Sequence, residues 1–300
     1  MKQELKEIKK KLRRDKIFKA RLKALYDESA RNLERALKSY VLAYDDIKLE
    51  ENFRLASKKD IDDLRKEIED LKPMIDDEAR LLLSMVFLGR KMTNSKFLEN
   101  VITIHTIKLA DAEIKETRAF LEKELFREAK RQSELLGLSK VKAEKVKKSL
   151  DAILNSENYK ATFSDRIWKD QTELRTRLIR NLNTSISRGV NPRVFAKNLR
   201  DLVRDDYKNA NYAAERIAIT ESARMQIDLQ EIAFKEQGVK HWMWIAEPTA
   251  CDECADLDGE VFEVGTTDPL PGYIHPFVDA PELWLIKFGS VTNLKEYINN

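Results

Sequence analysis

The sequence predicts a mainly α-helical protein with a small α+β domain in its C-terminal part. Of the 8 glycines and 7 prolines in the chain, residues 1–188 hold only Gly89, Gly137 and Pro73. Because both residue types are poorly tolerated inside helices, this stretch is expected to form long helices. After Gly238 the apolar residues alternate, which is typical of short strands. The predicted order is long N-terminal helices, then a helical segment that leads to a β-hairpin with a CxxC knuckle.

The composition excludes several classes of protein. The 55 Lys and Arg residues nearly balance the 52 Asp and Glu residues, so the chain as a whole is not a strongly cationic nucleic-acid protein. With 42% hydrophobic residues it can bury a core, although 36% of the residues are charged. No apolar run approaches the roughly 18 residues of a membrane span, and the first residues are too polar for a signal peptide. We expect a soluble protein made in a cytoplasm, without a membrane partner.

The first forty residues predict one long amphipathic helix. Steps of three and four residues connect mostly apolar positions, a spacing typical of a helix that packs along one face or in a coiled coil. Asp15, Lys19 and Ser29 interrupt this seam. Residues 1–40 carry 14 Lys and Arg against 6 Asp and Glu, a local charge of +8 that defines a basic N-terminal arm. The apolar seam positions are Leu5, Ile8, Leu12, Leu22, Tyr26, Leu33, Ala36 and Tyr40.

A second helical seam follows. Ser57 and Asp60 have the spacing of a capping box, with Asp in place of the usual Glu, so a helix is expected to begin there. Pro73 is expected to kink or split this helix, because proline cannot be accommodated in a helix interior. The seam positions are Ile61, Leu64, Ile68, Leu71, Ile75, Leu82 and Met85.

Three further helices are predicted before residue 190. A long helix over residues 95–136 is expected to stop at Gly137, which suits the left-handed conformation at a helix end. Ser139 can cap the next helix. An Arg-rich, polar helix is then predicted over residues 168–188.

The next helix is expected to begin at Pro192 and to end near Asp206. Another helix is predicted over residues 211–237, with Gly238 as its left-handed stop. Four polar residues of that helix share one face. They form either a functional face or an ordinary row of surface ion pairs, each worth about 0.3–0.5 kcal/mol. These residues are Arg216, Thr220, Glu221 and Arg224.

Two short strands with a cysteine pair between them are expected after this helix. Trp242 and Trp244 alternate with their neighbours, as in a strand that is buried on both faces. Cys251 and Cys254 then form a C-x-x-C pair. An Asp-Gly turn and a second strand follow over residues 258–264.

The cysteine pair is a candidate zinc site. Two thiolates in a tight turn can bind one Zn²⁺, and a structural zinc site has four ligands. His275 is the natural third ligand to Cys251 and Cys254. The candidates for the fourth position are a water, Asp258, Asp279 or His241.

Two other interpretations of Cys251 and Cys254 stay open. They can be two thiols without a metal, or an intramolecular redox pair. The redox interpretation is disfavoured, because catalytic pairs usually lie at a helix N-terminus that lowers the thiol pKa. Here the pair is predicted between strands, and the negative charges of Asp252 and Glu253 would raise the thiol pKa.

No catalytic constellation is visible in the sequence. It contains three scattered histidines and neither a G-x-G-x-x-G motif nor a P-loop. His105 lies in an apolar helical stretch and is expected to be a packed side chain. We therefore predict that the protein is not an enzyme; if it were, Glu221 would be the first carboxylate to test.

Four motifs in a fixed order resemble a known family, the phage head morphogenesis proteins, which are minor head proteins related to the F protein of phage Mu. The resemblance covers about residues 160–280. Two positions differ: Ile219 stands where the family often has Arg, and no cysteine follows the final His-Pro pair. The motifs are Ala214-Glu-Arg-Ile-Ala-Ile-Thr220-Glu221, Gly238-Val-Lys-x-Trp-x-Trp, Cys251-Asp-Glu-Cys254-x-x-Leu-Asp258-Gly259-x-Val-Phe262 and His275-Pro276.

The resemblance implies a virion component that is made in the host cytoplasm and lies inside the head, near the portal vertex. Its implied partners are the portal protein, other copies of itself, the major capsid or scaffold protein, and DNA through the basic N-terminal arm. Such proteins can leave the head with the genome. We predict a long-helix arm at 1–158, the Mu F-like domain at 159–280 and a packing tail at 281–300. The alternative is a zinc-dependent nucleic-acid-binding module without a capsid role.

Overall fold

The protein is mainly helical with a small antiparallel sheet near its C-terminal end, as the sequence predicts. The structure, a computed structural model, describes residues 2–42, 55–84, 86, 89, 92–157, 160–187, 192–243 and 252–265. Its elements in chain order are α1 (Lys2–Leu42), α2 (Lys58–Leu71), α3 (Asp77–Ser84), α4 (Asn94–Leu135), α5 (Lys140–Lys148), α6 (Leu150–Leu154), α7 (Phe163–Ser187), α8 (Pro192–Gln237), β1 (His241–Met243), α9 (Asp252–Ala255) and β2 (Val261–Glu263).

The buried face of α1 is rotated relative to the predicted seam. Leu12, Leu25 and Ala36 are half-buried and flank the true core positions. The side chains of Leu5, Ile8 and Tyr40 lie outside the described part of the structure. An amphipathic helix is confirmed, because buried residues recur every three or four positions. The buried residues are Lys11, Asp15, Phe18, Leu22, Tyr26, Ala30, Leu33 and Leu37.

The Ser57 cap at the start of α2 is confirmed. Its hydroxyl accepts a hydrogen bond from the backbone N–H of Asp60 at 3.0 Å. The same hydroxyl donates to the Asp60 carboxylate at 2.6 Å. The short Asp side chain therefore reaches the capping hydroxyl, whereas a capping-box Glu would reach the N-cap backbone N–H.

Pro73 splits the second seam into two helices, as predicted. It lies in the turn between α2 and α3. Because the chain changes direction there, Ala79 and Leu83 provide the buried positions of α3, and Leu82 is only half-buried. Met85 lies outside the described residues.

The predicted stop and restart after α4 are also confirmed. Gly137 has a φ of +59°, which an L side chain rarely adopts. Next to it, the backbone N–H of Leu138 donates to the carbonyl of Ser133 at 2.9 Å, which closes the helix end. The hydroxyl of Ser139 accepts from the N–H of Lys142 at 3.4 Å and begins α5.

The prediction of a helix break after Asp206 is wrong, because α8 runs without interruption from Pro192 to Gln237. The segment contains neither glycine nor proline after its first residue. Its buried positions also continue through the expected break in steps of three and four. At about 1.5 Å per residue, its 46 residues form a helix of roughly 69 Å. The buried residues across this stretch are Val203, Tyr207, Ala210, Ala214 and Ala218.

The chain forms two compact units, each built from separate segments. Unit 1 consists of residues 1–19, 117–163 and 215–300. Its core includes Phe18 and Phe120, whose rings stack with their centroids 4.2 Å apart. The predicted division at 158/159 and at 280/281 stays a prediction, and residues 281–300 lie outside the described part of the chain.

Unit 2 consists of residues 20–116 and 164–214. His105 lies here as a half-buried side chain, and burial together with the nearby Lys108 lowers its pKa to about 4. None of the helices that the structure describes has both the length and the apolar character that a membrane crossing requires.

Candidate functional site

The last described part of the chain is a small sheet attached to the end of α8. β1 pairs antiparallel with β2, so that Trp242 lies opposite Phe262. Their rings stack with centroids 4.7 Å apart. The described part of β1 is His241–Met243, and Trp244 of the predicted strand lies outside the described residues.

A turn at Gly238 directs the chain from α8 into β1. Gly238 has a φ of +80°, and the N–H of Val239 donates to the carbonyl of Phe234 at 3.0 Å. This is the predicted left-handed stop. The turn brings Trp242 back onto α8, where it is buried with Ile227 and Phe234. Partly buried residues surround this small core, namely Leu136, Val239, Leu257, Phe262 and Val264.

The predicted zinc ligands are only partly visible. Cys254 belongs to α9, a single helical turn that the sequence did not predict, although its side chain is outside the description. Asp258 lies exposed in the turn that precedes β2. Three of the candidate ligands lie outside the described residues, namely Cys251, His275 and the alternative ligand Asp279. The other alternative, His241, is the half-buried first residue of β1. The ligand set therefore stays a prediction; among the residues that the structure does describe, no three potential metal ligands cluster.

Glu221 and Arg224 form a buried ion-pair network on α8. The exposed fractions of their side chains are 1% and 2%, so the interpretation as an ordinary surface row is wrong for this pair. Arg224 donates from Nε to Glu221 Oε2 at 2.8 Å and from Nη1 to Asp228 Oδ2 at 2.7 Å. It also donates to the hydroxyl of Ser156 at 2.9 Å. The network thus connects α8 to the segment that follows α6 in unit 1.

The two other residues of this polar face, Arg216 and Thr220, are half-buried on α8. The face is therefore not fully solvated. A buried guanidinium that contacts two carboxylates holds both side chains in place. The network therefore restricts the geometry of α8. This arrangement fits a structural role better than a catalytic one.

A second buried polar cluster holds the first turns of α1 in unit 1. Lys11 donates to Gln226 Oε1 at 3.2 Å, and burial lowers the pKa of Lys11. Asp15 lies one turn further along α1; burial raises its pKa, and neither of its oxygens has a hydrogen-bond partner in the described structure. Polar residues therefore occupy positions where a helix interface usually carries apolar ones.

Glu128 of α4 is the main acceptor of this polar cluster. It receives hydrogen bonds from Arg131, Gln132 and Gln230 at 2.7–2.8 Å. Burial alone would raise the pKa of Glu128, but these donors lower it on balance. This cluster was not predicted from the sequence. The pattern that could have indicated it is the pair Gln226 and Gln230, which lie four residues apart on α8 and in register with apolar positions.

The outer face of α1 carries a basic stripe. Lys9, Arg13 and Lys16 are exposed and follow each other at spacings of four and three residues, so they share one side of the helix. The structure gives none of the three a carboxylate partner among the residues that it describes. This stripe is one exposed part of the +8 arm without ion pairs in the described structure, whereas Lys10 is paired with Glu7.

Residues 172–280 match a family model described as Phage Mu protein F like protein. The matched segment begins in α7 and includes α8, both strands and α9. It therefore contains Glu221, Arg224, Asp228 and the packed Trp242. No curated protein and no solved structure matches the chain. The resemblance inferred from the ordered motifs is confirmed.

Proposed function

The chain carries a Phage Mu protein F like domain at residues 172–280, and on this premise we propose that it is a bacteriophage minor head protein that acts in head morphogenesis. The family match supports a phage head-related protein and a place in the virion. The finer proposal is that the protein lies inside the head and associates with the portal protein. In this role it is a structural component and not an enzyme.

The observation that carries this proposal is that the family match includes two buried clusters of unit 1. The matched region contains the buried Arg224 network and the Trp242 core, both of which fix the end of α8. Glu221, the carboxylate that the enzyme alternative singled out, is 1% exposed and bonded to Arg224. A substrate could not reach it without disruption of the network.

Imaging of assembled heads without imposed symmetry tests the location. We expect density for this chain at the portal vertex, inside the shell, and we expect the protein to co-purify with heads in a constant copy number. Density confined to the tail, or heads that lack the protein throughout assembly, would refute the proposal.

Two matched variants test whether the hairpin contacts the portal protein. Val261 on β2 and Val141 on α5 are both exposed valines of unit 1, at 39% and 71%. If the hairpin is the contact surface, Val261→Asp lowers the number of incorporated copies, whereas Val141→Asp does not. Equal incorporation of both variants would exclude this face of the hairpin.

DNA is a second proposed partner, and the basic stripe of α1 supports it. Lysine and arginine bind phosphates by charge, so affinity should fall steeply with salt. The variant K9Q/R13Q/K16Q of the full-length protein should reduce the slope of log affinity against log salt by up to about 3, roughly one for each lost contact. An unchanged slope would leave the stripe as an ordinary solvated surface.

The alternative function, a zinc-dependent nucleic-acid-binding module, is supported by the small size of the hairpin core. Among the residues that the structure describes, three buried residues form it, with five partly buried neighbours. Small units of this kind are often stabilised by a structural metal. The proposed ligands are Cys251, Cys254 and His275, with Asp258 as the fourth.

Metal analysis of the purified protein tests this alternative. We expect one zinc per chain that is lost in the variant C251S/C254S, with a lower melting temperature after chelation. A metal-free protein with the same melting temperature would exclude zinc.

A further inference from the structure

The helix α5 concentrates positive charge on a short surface of unit 1. Its nine residues include five lysines, Lys140, Lys142, Lys145, Lys147 and Lys148, and the single acidic residue Glu144. Val146 is the only buried residue of the helix. The local net charge of +4, five lysines minus one glutamate, is therefore displayed on a mostly solvated helix.

Two of these lysines fix the helix against the end of α8. Lys142 donates to Gln237 Oε1 at 3.1 Å, and Lys145 pairs with Glu236 at 3.2 Å. Lys140, Lys147 and Lys148 are exposed. For these three, no carboxylate lies within ion-pair distance in the part of the chain that the structure describes.

Several other exposed lysines of the protein are paired within their own helices. Lys10 pairs with Glu7, and Lys23 pairs with Asp27. Lys235 pairs with Glu231 in the same way. These pairs follow the spacing of three or four residues that stabilises solvated helices. Lys140, Lys147 and Lys148 lack such a pair in the described structure, as do the lysines of the basic stripe of α1. The helix α5 is set apart by the density of its charge, five lysines in nine residues.

Helix stability does not explain the arrangement. Lysines in the last turn interact favourably with the helix macrodipole, which accounts for Lys147 and Lys148. Lys140 and Lys142 instead occupy the first turn, where the dipole is positive and where α5 has no acidic residue. Both charges oppose the dipole and weaken the helix. The hydrogen bond to Gln237 accounts for Lys142, whereas Lys140 has no such contact among the residues that the structure describes.

We propose that α5 is a contact surface for the phosphate backbone of duplex DNA. The choice of DNA as the polyanion rests on the proposed role in the phage head. The assignment of α5 as a contact surface rests on the positive charges of its lysines. Lys140 and Lys147 are about 10 Å apart along the axis, the length of about three phosphates of one strand. Flexible lysines without aromatic or bidentate partners suit binding that does not depend on sequence.

Salt-dependent DNA binding by the purified full-length protein tests this inference. The variant is K140Q/K147Q/K148Q, and the matched control is K10Q/K23Q/K235Q, which removes the same charge from paired lysines. With a short labelled duplex, we expect the α5 variant to lower the slope of log affinity against log salt by about 2–3. The control should change the slope by less than one.

Two results would overturn the proposal. One is an equal effect of the variant and the control, which would indicate a general effect of net charge. The other is displacement of the duplex by polyglutamate at the same charge concentration, which would indicate an acidic protein as the partner. Melting temperatures confirm folding. The α5 variant loses the favourable dipole interactions of Lys147 and Lys148 but is relieved of the unfavourable one of Lys140, and the control loses three surface ion pairs, so both should melt within a few degrees of the wild type.

The outcome is separable from the proposed head function. A variant that loses DNA binding but enters heads in normal copy number supports both ideas. Wild-type protein that binds DNA through α5 but is absent from heads refutes the head function alone. If the wild-type protein is found in heads and the α5 variant binds the duplex with unchanged affinity, the α5 surface alone is refuted.

Discussion

The hydroxyl of Tyr26 donates to Glu113 Oε2 at 2.7 Å in the interior of unit 2. Gln171 donates to the same carboxyl oxygen at 2.7 Å and to the Tyr26 hydroxyl at 2.6 Å. Burial raises the pKa of Glu113 to about 8, although both hydrogen bonds oppose the shift. The unit therefore contains a carboxyl group that is neutral at neutral pH and that becomes costly to bury when it ionises.

The variant Glu113→Gln should change the dependence of stability on pH. A raised pKa means that the folded state binds one more proton than the unfolded state between pH 4.5 and about 8. The contribution of Glu113 is fully present below pH 4.5 and is lost as pH rises, at up to about 1.4 kcal/mol per pH unit. We expect the free energy of unfolding, measured with denaturant from pH 6.5 to 8, to fall in the wild type and to stay nearly level in the variant.

In acid, the titration of His105 makes the stability of Glu113→Gln depend on pH more strongly than that of the wild type. Because the pKa of His105 is lowered to about 4, its contribution to the free energy of unfolding is fully present above pH 6.5 and is lost as the pH falls. Between pH 4.5 and 6.5 the slopes of His105 and Glu113 oppose each other. Acidification over this range should therefore destabilise Glu113→Gln more than the wild type, and addition of His105→Gln should remove the difference. Identical curves for the wild type and Glu113→Gln would contradict the assignment.

The variant Arg224→Met should strongly destabilise unit 1. It leaves the carboxylate of Glu221 buried without its guanidinium partner, which costs about 3–5 kcal/mol for a buried pair. The double variant Arg224→Met/Glu221→Met should recover a large part of this loss, because the fully buried carboxylate of Glu221 is removed with its partner and the remaining carboxylate, Asp228, is partly exposed. Denaturant unfolding of the two single variants and the double variant measures the coupling. Simple additivity would show that the two side chains do not act as a pair.

Replacement of the buried charges at the start of α1 should be tolerated. In the double variant Lys11→Met/Asp15→Leu, apolar side chains replace an ammonium and a carboxylate that are both 4% exposed. Such replacements are often neutral or stabilising by about 1–4 kcal/mol. Hydrogen exchange of residues 2–15 should slow if the polar contacts hold this segment only weakly. A loss of several kcal/mol would show instead that the charges are essential to the packing.

The variant Trp242→Ala should release the hairpin from α8. Loss of a buried tryptophan costs about 3–5 kcal/mol, and here it also removes the stack on Phe262. The matched control is Val261→Ala, a truncation on β2 at a residue that is 39% exposed, which should cost less than about 1 kcal/mol. Near-ultraviolet circular dichroism and unfolding follow both changes. A mild effect of Trp242→Ala would mean that the strands are held by other contacts.

Local signals in the sequence were sufficient for most helix ends. The Ser57 and Ser139 caps, the Gly137 and Gly238 stops and the split at Pro73 depend on backbone geometry within a few residues. Such signals do not require knowledge of the tertiary structure. The break expected after Asp206 had no such signal, since neither glycine nor proline stands there, and α8 continues.

Burial of polar residues could not be predicted from spacing. Asp15 looked like a defect in the seam of α1 because sequence reasoning assigns charged residues to the surface. Its environment is set by distant partners, such as Gln226, which binds the neighbouring Lys11. For the same reason, Arg224 and Glu221 resembled a surface pair, although Asp228 and Ser156 complete a buried network around them. Of the candidate zinc ligands, only Asp258 and His241 have described side chains; that of Asp258 is exposed and that of His241 is half-buried.

The interleaved make-up of the two compact units has a consequence for how such genes can be exchanged between phages. Each unit combines residues from before and after position 172, where the family match begins. A recombination crossover at that boundary would join helices that had not been selected together, with mismatched polar partners such as Lys11 and Gln226. Viable hybrids should therefore inherit the N-terminal helices and the family domain from the same parent.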